Sequence, residues 1–468
     1  MTVWITRRPD GEVAAELAES RRGTGSLAGV RLAVADNVDV ADAAVVAALR
    51  KAGAVVVGRT NRDQFAVATG EADIAIATDT VGSGPVPEAP EGIAGIRPTL
   101  GVIGADAGAP ARESPDSIVL VATTLSLADR AVAVAAAGAP SRPWPADVRL
   151  AAPPRPVVGV PHQLPELDPR CRAAFDAAVD TLAAAGCQIV TVDIAPFLDA
   201  ATQLDNGAVV GERSPAAGEF SVHRLVADRI EVARMRERAL AALVGADALL
   251  VPTAPTHPSS ADVTADPAGI DARPGTYTIF CTLFDMCGVA VPVGAAGDTP
   301  FGVTVLARAF DDAVALDIAA LFADGPHETV WPLAVAEHME LVVFGAHLRG
   351  GPLAHQLTDR GARFAGEITT APRYRMTALP TTPAKPGVTR VPDGDQGSSL
   401  TGHRWLVSPA ALGRFLAELP APMQLGKVEF ADGSWRTAFG CDGSARGVDI
   451  SSYGSWPAAV AAGAVAKA

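Results

Sequence analysis

The sequence predicts an α/β fold for most of the chain, followed by a small α+β domain. Residues 30–60 show the pattern most clearly: "VRLAVADNVDV" is a Val-rich strand, "DAAVVAALRKAG" is an amphipathic helix, and "AVVVGRT" is a buried strand. A strand, a helix and a second strand in this order are typical of parallel pairing in one sheet. The same alternation returns later in the chain, which extends the α/β pattern beyond this unit.

The later elements each follow from their own pattern. The helix "DPRCRAAFDAAVDTLAAAG" precedes the strand "CQIVTVDI", and the long helix "VHRLVADRIEVARMRERALAALVG" precedes the strand "ADALLVPTAP". Two more strands, "GVAVPVG" and "FGVTVLAR", are followed by the helix "DDAVALDIAALFADG". Short strands with a few helices then continue to the end of the chain, which is the pattern of the α+β domain.

Composition shifts divide the chain into four parts. Residues 1–22 form an N-terminal helical segment, and residues 23–321 form the α/β domain. Residues 322–340 combine Gly, Pro and mixed charge, which is typical of a linker. Residues 341–468 are about the size that a single hydrophobic core supports, so we expect a separate small domain there.

Charge and hydropathy exclude several classes of partner. The 468 residues carry a formal net charge of -14 with no isolated run of Lys and Arg, so neither nucleic acid nor an anionic membrane is an expected partner. The N-terminus lacks the apolar run of a signal peptide, and no later stretch is apolar enough to span a bilayer. We therefore expect a cytoplasmic protein.

Cysteine and histidine spacing argues against a metal site. The five cysteines are scattered and include no C-x2-C pair, which indicates reduced thiols. The histidines form neither an H-x3-H nor an H-E-x-x-H set. We expect no metal and no cofactor.

Three fragments, in this order, resemble the amidase signature family of serine hydrolases: "LAGVRLAVADNVDV", "GRTNRDQFAVATG" and "TDTVGSG". The later stretches "FGAHLRGGPLAHQLTDRGARF", "TAPRYRMTALP" and "DISSYGSW" are similar to the C-terminal domain of allophanate hydrolases. The resemblance implies an amidase-signature α/β/α sandwich with a mixed sheet, followed by a small α+β domain resembling γ-glutamylcyclotransferases. It also implies a homodimer that acts in urea or amide nitrogen metabolism.

The resemblance implies that Ser83 is the catalytic nucleophile, but the residues that would act as its general base are missing. Family members use a nucleophilic serine, a second serine in a cis peptide, and a neutral lysine that takes up the proton. Ser83 stands at the nucleophile position, and Thr80, Val81 and Gly82 precede it where the substrate oxyanion is bound. Ala35 replaces the lysine, and the short stretch "EADIAIA" replaces the loop that carries the second serine. We therefore predict that the amidase half is catalytically inactive.

Ligand-binding positions follow from the same resemblance. Arg213 stands where allophanate hydrolases bind the substrate carboxylate, although Asp205 replaces the tyrosine that accompanies it. His347, in "FGAHLRGG", stands where the resemblance implies a histidine that serves in decarboxylation of the first product. His355 is a second candidate, and His403 lies where related domains carry a glutamate.

Several functions remain open from sequence. The chain is a homologue of a C–N amide hydrolase whose amidase half is inactive, or an amidohydrolase that uses a rewired base. The C-terminal domain retains decarboxylation of a carbamate-type product, or the protein is a non-catalytic scaffold. In each case the expected ligand is a small anionic molecule that resembles urea or a carbamate.

Overall fold

The computed structural model describes residues 3–36, 38, 43–61, 63–79, 92–104, 117–140, 142–204, 222–256, 275–297, 299–323, 325, 327–382 and 384–465. Contacts between these residues divide the chain into two compact units. The first unit contains Met1–Trp144 and Arg155–Val335, and the second contains Pro145–Pro154 and Ala336–Ala468. The segment 145–154, which the sequence-based boundaries assign to the α/β domain, therefore belongs to the second unit.

A mixed sheet of eleven strands forms the centre of the first unit, in the order β1-β3-β2-β4-β6-β5-β10-β11-β9-β7-β8. β2 pairs in parallel with β3 and β4, whereas β10 is antiparallel to both β5 and β11. The predicted α/β fold with a mixed sheet is confirmed. In chain order the strands are β1 (Trp4–Arg7), β2 (Arg31–Ala35), β3 (Val55–Thr60), β4 (Ile74–Asp79), β5 (Ala94–Arg97), β6 (Ser117–Ala122), β7 (Val157–Pro161), β8 (Gln188–Val192), β9 (Ala248–Pro252), β10 (Met286–Ala296) and β11 (Thr299–Arg308).

Helices between these strands pack against the sheet and against each other. α4 lies on β4, β5 and β6 and also contacts α2, while α5 and α9 contact β10 and β11. The helices of this unit are α1 (Asp10–Ser20), α2 (Ala44–Lys51), α3 (Asp63–Ala68), α4 (Leu125–Gly138), α5 (Pro169–Ala184), α6 (Ala195–Leu204), α7 (Val222–Ala242), α8 (Phe280–Phe284) and α9 (Asp312–Ala319). The segment 1–22, expected to be helical, contains α1 and also β1, which pairs with β3 at the edge of the sheet.

The packing of α4 against α2 depends on a glycine. A Cβ atom built on Gly138 would lie only 2.1 Å from the Cβ of Ala48, far inside any van der Waals contact. At the other end of α4, Thr124 Oγ1 accepts a hydrogen bond from Leu127 N at 3.2 Å, which caps the helix. Thr124 thus caps the beginning of α4, and Gly138 allows its close approach to α2.

The second unit contains two sheets and its own apolar core. The five-stranded sheet has the order β13-β16-β12-β18-β17, and the three-stranded sheet has the order β15-β14-β19. Its elements are β12 (Met339–Val343), α10 (His355–Thr358), β13 (Arg363–Thr369), β14 (Tyr374–Leu379), β15 (Lys385–Arg390), β16 (Thr401–Val407), α11 (Pro409–Ala417), β17 (Met423–Glu429), β18 (Trp435–Cys441), β19 (Val448–Asp449) and α12 (Trp456–Ala461). Buried core residues include Phe344, Tyr374, Met376, Trp405, Phe415 and Phe430.

The segment 145–154 is held to the second unit by backbone hydrogen bonds. Leu150 N donates to Gly361 O at 2.8 Å, and Ala410 N donates to Ala146 O at 2.9 Å. Arg363 Nε adds a bond of 2.7 Å to Leu150 O. Among the residues placed in the structure, no helix has the length and apolar character needed to cross a membrane.

Candidate active site

The predicted nucleophile and its neighbours lie outside the described residues. This applies to Ser83, to the preceding positions Thr80, Val81 and Gly82, and to Arg213. The structure does describe the strand that leads to this stretch, since β4 ends at Asp79. β4 is parallel to β2, so the stretch after β4 begins at the sheet edge where β2 also ends.

Ala35 ends β2 at that same edge. Its side chain is 4% exposed, and the residue is paired with Thr60 of β3. The methyl group of alanine neither donates nor accepts a proton, so this buried position supplies no base.

Lysine is rare throughout the chain. The only four lysines are Lys51, Lys385, Lys427 and Lys467. Lys51, the one lysine in the first unit, is exposed in the last turn of α2. The first unit therefore has no buried lysine to replace the one that the family uses.

A cavity of about 180 Å³ lies within the second unit. It is bordered by the loop after β12, the beginning of β15, and the end of α11, and it mixes aromatic and polar side chains. Its lining includes Phe344, Gly345, His347, Leu353, Gln356, Lys385, Pro386, Phe415, Glu418, Met423 and Phe439. Of the histidines singled out in the sequence, His347 is the one that lines this cavity.

His347 is fixed in the cavity wall by one hydrogen bond and two aromatic rings. Its Nε2 lies 2.8 Å from Gln356 Oε1. An amide oxygen only accepts, so Nε2 carries the hydrogen and Nδ1 of the neutral ring is left as an acceptor. The ring stacks on Phe439 at 5.2 Å between centroids and meets the edge of Phe415 at 5.3 Å.

Burial lowers the pKa of His347 below its ordinary value, because desolvation disfavours the charged imidazolium. The hydrogen bond to Gln356 opposes this effect and raises the pKa, whereas the positive charge of Lys385 lowers it further. The neutral ring is therefore favoured near pH 7. A histidine in this state accepts a proton and, once protonated, is a stronger acid than an exposed one.

The charged groups of the cavity differ in their pairing. Glu418, at the end of α11, is paired with Arg360 through a contact of 2.5 Å between Nη2 and Oε2. Lys385 lines the cavity from the beginning of β15. The cavity thus combines a neutral histidine, a compensated carboxylate and an ammonium group.

The other histidines of the predicted site have different surroundings. His355 is exposed, and its Nδ1 lies 3.0 Å from Pro352 O. His403 Nδ1 accepts a hydrogen bond of 2.9 Å from Arg349 N, and its Nε2 lies 3.4 Å from Glu367 Oε1. Both rings therefore hold local structure. Related domains carry a glutamate where His403 lies, whereas in this chain the carboxylate that lines the cavity belongs to Glu418.

Sequence reasoning missed Gln356, Lys385 and Glu418. These residues come from a short helix, a strand and a helix end that are far apart along the chain, so no spacing connects them to His347. The rarity of lysine was the one available signal, since Lys385 is one of four. Over the part of the chain that is described, no three His, Cys, Asp or Glu side chains form a group that could hold a metal ion.

Family models match both parts of the chain. Residues 65–216 match the Amidase family model, and residues 339–461 match the model of the allophanate hydrolase C-terminal domain. The second match contains His347 and every polar cavity residue named above. The chain therefore combines an amidase domain with an allophanate hydrolase C-terminal domain.

Similar proteins match most of this chain. The urea amidolyase of Lachancea kluyveri is 30% identical over 92% of this chain, and that of Saccharomyces cerevisiae is 29% identical over 94%. The chain spans only 29% and 30% of these two proteins. The solved structure of Kluyveromyces lactis allophanate hydrolase has a TM-score of 0.83 and 26% identity, and the match covers 98% of this chain and 93% of that one. The chain is a homologue of urea amidolyases and allophanate hydrolases.

Proposed function

We propose that this homologue of allophanate hydrolases acts in urea nitrogen metabolism through its C-terminal cavity, where it removes a carboxyl group from a small carbamate-type molecule. The observation that carries the proposal is His347, a neutral imidazole held by Gln356 in the wall of the cavity. Its amidase half does not cleave amides by the mechanism of the family.

The proposed reaction is decarboxylation of an N-carboxylated carbamate. The bond between nitrogen and the leaving carboxyl carbon breaks, its electron pair moves to nitrogen, and carbon dioxide leaves. The nitrogen then takes up one proton, which leaves carbamate. His347 takes up this proton at Nδ1 and delivers it to the nitrogen. Its lowered pKa favours delivery, because the imidazolium gives up its proton readily.

Two observations support an inactive amidase half. Ala35 is buried where the resemblance places the lysine, and the first unit contains no lysine other than the exposed Lys51. A serine hydroxyl without a base is a weak nucleophile at neutral pH. Loss of triad members typically lowers the rate by about 10^4-fold or more. The protein is therefore expected to release no measurable ammonia from allophanate through Ser83.

The test separates the two halves of the protein. N-carboxycarbamate is generated in the assay by an active amidase domain, and carbon dioxide release is followed with and without this protein. We expect wild type and Ser83→Ala to accelerate release equally, and His347→Gln to lose roughly 10^2- to 10^4-fold of the acceleration, which is the usual contribution of one acid–base group.

Two results contradict the proposal. The proposed decarboxylation is contradicted if the wild-type protein leaves the uncatalysed rate unchanged. It is also contradicted if the His347→Gln protein is as active as wild type. A burst of ammonia from allophanate that disappears in Ser83→Ala shows instead that the amidase half is active.

A further inference from the structure

We infer that Lys385 recognises the ligand of this cavity by its carboxylate, and that the ligand is a small carboxylic acid anion. The inference rests on the proposed function, because it concerns the same cavity. It adds the residue that selects the ligand, which neither the family resemblance nor the sequence assigned.

The charge of Lys385 has no partner within the cavity. The ammonium group makes no ion pair or hydrogen bond with any residue in the described part of the chain, although the cavity wall contains the carboxylate of Glu418. Glu418 is instead paired with Arg360 at 2.5 Å. Lys385 is partly exposed and has no acidic partner among the described residues, so an anion that enters the cavity meets an unpaired positive charge.

The remaining titratable groups leave this positive charge uncompensated. His347 is neutral near pH 7 because it is buried, and the charge of Glu418 is balanced by Arg360. The cavity therefore favours a negatively charged ligand over a neutral one of the same shape. A single ammonium acts as a point charge and matches one carboxylate.

A close contact between Gly345 and the ring of Pro386 brings the segments that carry His347 and Lys385 together. A Cβ on Gly345 would lie 2.2 Å from Cδ of Pro386 and 2.5 Å from its Cγ, so the loop after β12 touches the beginning of β15. Gly345 is two residues before His347, and Pro386 directly follows Lys385. This contact fixes the two backbone segments relative to each other before a ligand binds, which reduces the entropy cost of binding.

The volume of the cavity limits the ligand. A cavity of about 150 Å³ is large enough for benzene, which has six carbon atoms. The 180 Å³ found here suits a ligand of about six to ten non-hydrogen atoms. A small dicarboxylate such as malonate fits this limit and serves as a probe.

The experiment follows malonate binding at His347 itself, which excludes binding elsewhere in the protein. The imidazole resonance of His347 is identified in the NMR spectrum by its loss in His347→Gln. Malonate is then titrated into wild type, Lys385→Met, Lys385→Arg and Lys427→Met. Lys427 is a matched control because it is exposed on β17 and donates to Thr437 Oγ1 at 2.9 Å.

We expect malonate to shift the His347 resonance in wild type and in Lys427→Met with the same Kd. Lys385→Met should bind at least about tenfold more weakly, the effect of one lost ion pair in a partly buried site. Lys385→Arg should recover part of the affinity. The neutral diamide, malonamide, should leave the resonance unchanged.

The outcomes distinguish this inference from the proposed function. Equal malonate binding by wild type and Lys385→Met overturns the inference, as does a response to malonamide equal to that of malonate, or no response to malonate in wild type. Each of these results leaves His347-dependent decarboxylation intact. If malonate binding depends on Lys385 but the protein does not accelerate decarboxylation, the inference is supported and the proposed function is contradicted.

Discussion

Two neighbours act on His347 in opposite directions. The amide oxygen of Gln356 stabilises the ring N–H and raises the pKa, whereas the ammonium of Lys385 repels the imidazolium and lowers the pKa. Burial has the largest effect and also lowers the pKa. Besides burial, the protonation state of His347 is thus set by residues of α10 and β15.

Substitutions of the two neighbours should shift the pKa of His347 in opposite directions. Lys385→Met removes a repelling charge, so the pKa should rise towards the ordinary value. Gln356→Leu removes the hydrogen-bond acceptor, so the pKa should fall further. The measurement is an NMR titration of the His347 ring, and Lys427→Met should leave it unchanged. Shifts of the same sign in both variants contradict this account.

The sequence predicted His347 but not its environment. The motif "FGAHLRGG" pointed to this histidine through the resemblance, and the ring does line a cavity. Gln356, Lys385 and Glu418 reach the cavity only because β12, α10, β15 and α11 are brought together by the fold. Such meetings between distant elements leave no periodic pattern in the sequence.

At the scale of elements, α2 and α4 show how closely helices approach in this protein. Three buried residues of α2, Val45, Val46 and Leu49, form its apolar face, and the pattern predicted the helix correctly. The contact with α4 adds a constraint that the pattern does not contain, since Gly138 meets Ala48 with no room for a second methyl group. A Cβ atom is fixed by the helix backbone, so neither the methyl group of Ala48 nor one added at position 138 could move aside by rotation of a side chain.

Gly138→Ala should destabilise the protein by about 1–3 kcal/mol, the usual cost of overpacking. Ala48→Gly removes the opposing methyl group and should recover part of that loss when the two are combined, although it costs about 1 kcal/mol alone through helix propensity. Urea denaturation of both single variants and the double variant gives the coupling energy. Ala47→Gly, on the exposed side of α2, should give no recovery. Additive effects of Gly138→Ala and Ala48→Gly contradict the proposed contact.

At the scale of the whole molecule, one buried carboxyl group makes the stability of the first unit depend on pH. Asp312, at the beginning of α9, accepts hydrogen bonds from Thr99 N at 2.9 Å and from Thr99 Oγ1 at 2.6 Å. Burial raises its pKa to about 6, despite the bonds from Thr99, which lower it. The folded protein therefore binds this proton more tightly than the unfolded chain, in which the pKa is about 3.9.

The contribution of Asp312 to stability should be greatest below about pH 4 and should be lost as pH rises to about 6. The loss is at most about 3 kcal/mol, since each pKa unit corresponds to about 1.4 kcal/mol. Asp312→Asn removes this titration, so its stability relative to wild type should increase between about pH 4 and about pH 7. Urea denaturation at several pH values measures the difference. Asp180→Asn, an exposed control on α5, should show no such trend, and a flat difference for Asp312→Asn contradicts the assignment.

The eleven-stranded order of the large sheet also belongs to this scale. The sequence predicted β10 and β11 as two consecutive strands, and in the structure they pair with each other. It gave no sign that β10 would lie beside β5, about 190 positions earlier, or that residues 145–154 would belong to the second unit. Pairing between distant strands depends on how all the elements pack, which a local pattern does not encode.

The sequence by itself determined the α/β class, the parallel unit of β2, α2 and β3, and the family resemblance that pointed to Ser83, Ala35 and His347. These features depend on local periodicity and on residues within single short motifs, so a linear reading contains them. Only the tertiary structure decided which groups surround His347. The contact of Gly345 with Pro386 places Lys385 and His347 in the same cavity. This contact depends on how the two segments pack in the folded protein, and their separation along the chain does not predict it.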